Sequence, residues 1–132
     1  MRELSFTLPF LTDSLNVRER QHWSKRSKGK RNMAQEVMVA IGGPRHFPRP
    51  PWRHVRVTVN RCSAGRLDRD NLYGSFKALG DALCKASVRH PHGLGIIEDD
   101  SSELLELVMK QSDAPAGEGH TIVRIECLDG ET

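Results

Sequence analysis

The stretch His54–Asn60 (HVRVTVN) limits the possible folds more than any other part of this chain. Val55, Val57 and Val59 alternate with polar residues, and successive side chains of a strand point to opposite faces. Such a strand has one apolar face and needs a second layer to cover it. Two apolar stripes with helical spacing supply that layer. From Asp70 to about Lys85, Leu72, Phe76, Leu79 and Leu83 recur on one helix face. From about Ser27, Met33, Val37, Met38 and Ile41 do the same, read as core, until Gly42-Gly43-Pro44 ends the helix. Gly74 and Gly80 lie inside the second helix, weaken it by roughly 1 kcal/mol each relative to Ala, and signal close approach by something else.

Three further strands are expected. Leu4–Leu8 alternates and is stopped by Pro9. Glu103–Lys110 reads as a strand with a pattern ambiguous with helix, and His120–Cys127 reads as the last strand. Phe10 to about Ser24, Cys62–Gly65, Arg89–Gly93 and Asp113–Gly119 read as loops, with Pro48, Pro50 and Pro51 as a stiff connector. The expectation is one α+β domain over residues 1–132, a mixed β-sheet packed with two main helices in the order β-α-β-α-β-β. No stretch approaches the ~18 apolar residues of a membrane span. The N-terminal residues lack the pattern of a signal peptide, so the expected setting is cytoplasmic, with no membrane partner. Cys62, Cys84 and Cys127 are far apart without CxxC spacing, which predicts reduced, packed thiols rather than disulfides or a zinc site.

Charge is distributed unevenly. Residues 1–97 hold 18 Lys/Arg against 7 Asp/Glu, a balance of +11, whereas residues 98–132 hold 2 against 10, a balance of −8. The densest basic run, Arg18 to Arg31 (RERQHWSKRSKGKR), carries Arg18, Arg20, Lys25, Arg26, Lys28, Lys30 and Arg31 around Trp23. A solvated basic face is the plain reading; cations interleaved with an aromatic also suit a nucleic-acid surface.

Two acidic groups carry the chemistry. Asp68 and Asp70 in RLDRDNL are two apart, on one side of an extended segment just before a helix. Asp99 and Asp100 follow the apolar run Leu94–Ile97. Gathered carboxylates repel one another unless a cation sits among them, and Mg²⁺ takes one or two carboxylates plus water and phosphate oxygens. The alternative is a capping aspartate and an unrelated acidic loop. No EF-hand ligand series is present. His90 and His92 flank Pro91 near the acidic pair, either as a metal ligand or general acid or as solvated loop residues. Arg66 and Arg69 border the motif and suit phosphate contacts or simple solvation, and Asn71 holds the turn or a carboxylate, or touches DNA.

Taken together, RLDRDNL, FKALGDAL and GIIEDDS resemble the signature of the RusA-type Holliday-junction resolvases, many of them encoded by phages and prophages. SFTLPFLTDSLN with the basic segment after it is similar to that family's N-terminal strand and loop, and VRVTVN to the strand before its catalytic loop. The resemblance implies a RusA-like fold and a homodimer that cuts four-way DNA junctions with Mg²⁺ or Mn²⁺ and no small-molecule cofactor. It implies Asp68, Asp70 and Asp100 as catalytic metal ligands, with Asp99 assisting. Asp81, in the segment matching the family's DAL, is implied to be structural or to support the ligands. The family places a catalytic lysine four residues after the second motif aspartate, where this chain has Gly74; Lys77, seven residues after Asp70, takes that role for phosphate or leaving-group stabilisation. Asn16 and Arg18 match polar positions at the rim. With Arg20, Lys25, Arg26, Lys28, Lys30, Arg31, Arg66, Arg69 and Asn71 they form the expected DNA-binding set. Three alternatives stay open: a nuclease for flaps, forks or other branched phage DNA, a junction-binding module without catalysis, and a metal-binding protein without nucleic acid.

Overall fold

The computed structural model describes residues 2–12 and 23–129, with side chains described over 2–12 and 32–129. Its elements are β1 (Glu3–Leu8), α1 (Trp23–Ile41), a short 3-10 turn (Pro44–His46), β2 (Val55–Ser63), α2 (Arg69–Gly74), α3 (Lys77–Leu83), β3 (Leu105–Asp113) and β4 (His120–Cys127). The strands form one mixed sheet in the order β1-β4-β2-β3. β4 is antiparallel to both β1 and β2, whereas β2 and β3 run parallel. This is an α+β fold of the coarse kind the sequence patterning predicts.

The alternation in β2 decides which side faces the core: Val55, Val57 and Val59 are fully buried. Val123 and Ile125 from β4 and Leu4, Phe6 and Leu8 from β1 join them. α1 covers this face with Met33, Ala34 and Val37, while Met38 and Ile41 from the same expected stripe are only partly buried. Gly42 and Gly43 close α1 in left-handed conformations, φ 96° and 107°, and both donate N–H bonds to Met38 O. The second stripe is buried as expected, since Leu72, Phe76, Leu79 and Leu83 all lie in the core. Each contributes roughly 1.5–3 kcal/mol by leaving water.

Three expectations need correction. The helix predicted as continuous from Asp70 to about Lys85 is two pieces, α2 and α3. Ser75 stands at the break: its hydroxyl donates to Leu72 O at 2.6 Å and accepts from Thr12 Oγ1 at 3.0 Å, next to the weak helix former Gly74. Lys77 therefore opens a new helix instead of sitting two turns along one. Cys62 and Ser63, expected in a loop, belong to β2, because its pairing with β3 continues to Ser63 opposite Asp113. The ambiguous segment after Glu103 is a strand, shifted to Leu105–Asp113.

Parallel pairing of β2 and β3 fixes where the two acidic segments go. Parallel neighbours need a long crossover, here residues 64–104 with α2 and α3. The crossover leaves β2 at its C-terminal end. There Leu67 exchanges backbone bonds with the Gln111 side chain in β3, at 2.9 and 3.0 Å. It returns to the other end, where Ile97 bridges both Cys84 and Trp52 ahead of β2. Among the described residues no helix is long and apolar enough to cross a membrane.

Candidate functional site

Asp68 is the N-cap of α2. Its Oδ1 accepts from the backbone N–H of Asn71 at 2.9 Å, and its Oδ2 accepts from Asn71 Nδ2 at 3.0 Å. These bonds, the backbone one first, hold the exposed Asp68 carboxyl below its ordinary range. Asp70 is exposed in the first turn of the same helix. Asn71 thus holds a carboxylate, one of the roles its position allowed. Arg66 reaches Asp113 on β3 at 3.3 Å, and Arg69 lies over the Tyr73 ring, 5.8 Å from its centroid. Lys77 is exposed at the start of α3. Asn16, Arg18 and Arg20 lie outside the described residues. Lys25, Arg26, Lys28, Lys30 and Arg31 place their backbone in α1, and their side chains lie outside the described ones.

The second acidic group sits in a different place. The Leu67–Gln111 contact is at one end of β3 and the Asp99–Asp100 segment leads into the other, a rise of roughly 20 Å along the strand at ~3.3 Å per residue. Within one chain the structure does not bring Asp68 and Asp70 to Asp99 and Asp100.

It brings other donors to that pair. Among the described residues, Cys84, His90, Asp99 and Asp100 each offer one ligand atom, all within 4.8 Å of one another. Cys84 ends α3 and is buried. The segment after it folds back along the helix end: Leu94 N donates to Ala82 O, Gly95 N to Cys84 O, and Ile96 N and Ile97 N to Leu83 O. Inside that return a tight turn is closed by Gly93 N to His90 O at 3.1 Å and His90 N to Ser87 Oγ at 3.2 Å. The turn presses His90 inward, to 5% exposure.

His90 faces three carboxylates. Its Nδ1 lies 3.0 Å from Asp81 Oδ1, and its Nε2 lies 3.5 Å from Asp99 Oδ1 and 3.6 Å from Asp100 Oδ1. Nε2 is buried and has no hydrogen-bond partner. Asp81, implied by the resemblance to be a supporting residue, sits behind the histidine. Burial, and after it the charges of Asp100, Asp99 and Asp81, push the Cys84 thiol up to about 12. A thiol, an imidazole and two carboxylates crowded this closely can take up a divalent cation, which would offset their mutual repulsion.

Cys84 is the member of this group that sequence reasoning missed; His90 was left open between a metal ligand or general acid and a solvated loop residue. Absent CxxC spacing spoke against cysteine ligands, and the Pro/Gly-containing loop did not tell which of its two histidines is buried. The available signal was a cysteine and a histidine six residues apart, Cys84 and His90, with the histidine nine residues before the Asp99-Asp100 pair. His92, the other loop histidine, lies outside the group of four.

No protein-family model matches the chain, and no curated protein matches it.

Proposed function

We propose that this chain is a metal-dependent endonuclease of the RusA type, which as a homodimer cuts four-way DNA junctions in two symmetric strands. The supporting observation is the placement of its aspartates. The four expected ligands lie at the two ends of the β2–α2–α3–β3 crossover, Asp68 and Asp70 at the start of α2 and Asp99 and Asp100 in the segment before β3. One pair is carried at a helix start, and the other faces a buried, unpartnered histidine nitrogen. Carboxylates at the two ends of the crossover suit a divalent cation, with Asp68, Asp70, Asp99 and Asp100 as the oxygen ligands. When bound, Mg²⁺ or Mn²⁺ supplies charge that polarises a scissile phosphate and activates water.

The chain's own residues do the rest. Asn71 fixes the orientation of Asp68 through its backbone N–H and its side-chain amide, so the carboxylate needs little reorganisation to act as a ligand. Lys77 at the start of α3 offers an ammonium to a phosphate oxygen. Arg66, Arg69 and the basic residues in the α1 sequence hold the DNA arms by phosphate contacts, which position the substrate without reading its sequence. Because the two acidic pairs lie at opposite ends of one strand pair, a centre that uses both needs two chains. A two-fold dimer has two such centres, which suits paired cuts in a four-way junction.

The substrate is tested with labelled four-way junction, flap and linear duplex incubated side by side with Mg²⁺. Paired symmetric nicks confined to the junction support the proposal. Preferential cutting of the flap makes the protein a nuclease for other branched DNA. Tight junction binding without cleavage makes it a binding module, and no DNA affinity at low salt removes both.

A further inference from the structure

We propose that Cys84, His90, Asp99 and Asp100 bind one transition-metal ion of the zinc type, at a site whose donors are unsuited to magnesium. The proposal stands apart from the nuclease reading and shares only Asp99 and Asp100 with it.

Donor chemistry is the first argument. Mg²⁺ takes oxygen ligands in a near-octahedral shell and keeps several waters. A sulfur, an imidazole nitrogen and two carboxylate oxygens are instead the set that borderline ions accept, in four-coordinate form. The spacing is the second. His90 Nε2 stands 3.5 and 3.6 Å from the two carboxylate oxygens and hydrogen-bonds to neither. Ligands at ~2.0–2.1 Å from a tetrahedral ion are about 3.3–3.5 Å apart, so these atoms are placed to share an ion.

The third argument is His90 itself, a side chain more than nine-tenths buried with an unpartnered nitrogen aimed into the group. Asp81 Oδ1 is an acceptor for its Nδ1, 3.0 Å away. A ring that donates from Nδ1 presents the lone pair of Nε2 to Asp99 and Asp100. A carboxylate behind a ligating histidine is the usual way to fix the ring's orientation and raise its basicity. Asp81 is therefore a positioning residue.

The backbone is shaped to the same end. Gly93 packs so tightly on the end of α3 that a Cβ there would lie 2.1 Å from Cys84 O. That contact holds the His90 turn against Cys84. An ion would tie α3, the turn and the Asp99–Asp100 segment together, beside the backbone bonds and the buried Ile96 and Ile97 that already join them. Cys84 ligates as thiolate, so its proton passes to the buffer.

The test titrates Co²⁺, then Zn²⁺, into full-length protein stripped of metal with a chelator. One equivalent of Co²⁺ is expected, with visible bands of a four-coordinate site and a near-ultraviolet thiolate-to-cobalt band; Zn²⁺ abolishes both, and excess Mg²⁺ does not. Cys84→Ser, nearly isosteric, loses the thiolate band. Asp81→Asn weakens Zn²⁺ binding by about 10–100-fold, and His90→Ala by more, each verified as folded by circular dichroism. Asp68→Asn and Asp70→Asn bind the ion as wild type does, so their loss of DNA cleavage reports on the nuclease reading alone. Uptake below one equivalent at micromolar ion, a thiolate band surviving in Cys84→Ser, or displacement by Mg²⁺ overturns the proposal.

Discussion

Gly93→Ala perturbs the element on which the second acidic group depends. A methyl at this position meets Cys84 O at 2.1 Å and two further backbone atoms, Cys84 C and Ala86 N, at 3.0 Å. Ordinary contact begins near 3.4 Å, so the backbone has to move by about 1.3 Å. None of the three obstructing atoms is the free end of a side chain. Overpacking of this kind costs roughly 1–3 kcal/mol. The displacement also strains Gly93 N to His90 O and Gly95 N to Cys84 O, and a weakened backbone bond forfeits up to ~1 kcal/mol. The expected loss is about 2–4 kcal/mol, read as a lowered urea midpoint at unchanged slope. Gly65→Ala is the control. Its Cβ meets nothing within 4 Å, so its effect stays within ~0.5 kcal/mol. Equal midpoints for the two variants, or a Gly93→Ala loss below ~1 kcal/mol, would refute the reasoning.

Other outcomes follow from single contacts. Asp68→Ala, which removes the α2 cap, lowers the melting temperature at pH 7, whereas Asp68→Asn retains an acceptor and loses less. Because Asp68 titrates below its ordinary 3.8, its stabilising effect is present above that pH and disappears as pH falls through the depressed value. The gap between wild type and Asp68→Ala therefore narrows in acid, which thermal melts from pH 7 to pH 2 check. Asp129 is held low chiefly by His54, whose Nδ1 lies 2.6 Å from Asp129 Oδ1; His54→Ala returns its carboxyl titration, followed by NMR, toward 3.8. If one centre draws on both acidic ends, Asp70→Asn and Asp100→Asn subunits are each inactive alone but regain cleavage when mixed. A mixture as inactive as its parts removes the two-chain centre.

The fold was legible wherever one face of an element is buried. The alternation of Val55, Val57 and Val59 and the Leu72–Phe76–Leu79–Leu83 stripe identify the core directly, because water sorts those residues by period. The break at Ser75 was not legible. It depends on Thr12, distant in sequence, meeting the Ser75 hydroxyl. The candidate site divides in the same way. Capping geometry at Asp68 follows from the local run DRDN. The distance between the two acidic groups follows from the parallel pairing of β2 with β3, which no local pattern specifies. His90 was the hardest to read. Its burial comes from backbone packing of Gly93 on Cys84, and a loop histidine beside proline shows nothing of that in sequence. Asp81, 3.0 Å from His90 Nδ1, likewise makes a contact between a helix and a loop that no local pattern specifies.

The most direct test of the nuclease reading follows one end-labelled four-way junction under single-turnover conditions, with wild type and Asp70→Asn, in Mg²⁺ and in EDTA. The account predicts paired nicks for wild type in Mg²⁺ and none in the other three reactions. Cleavage that persists in EDTA or in Asp70→Asn, or an intact junction in all four, would contradict it.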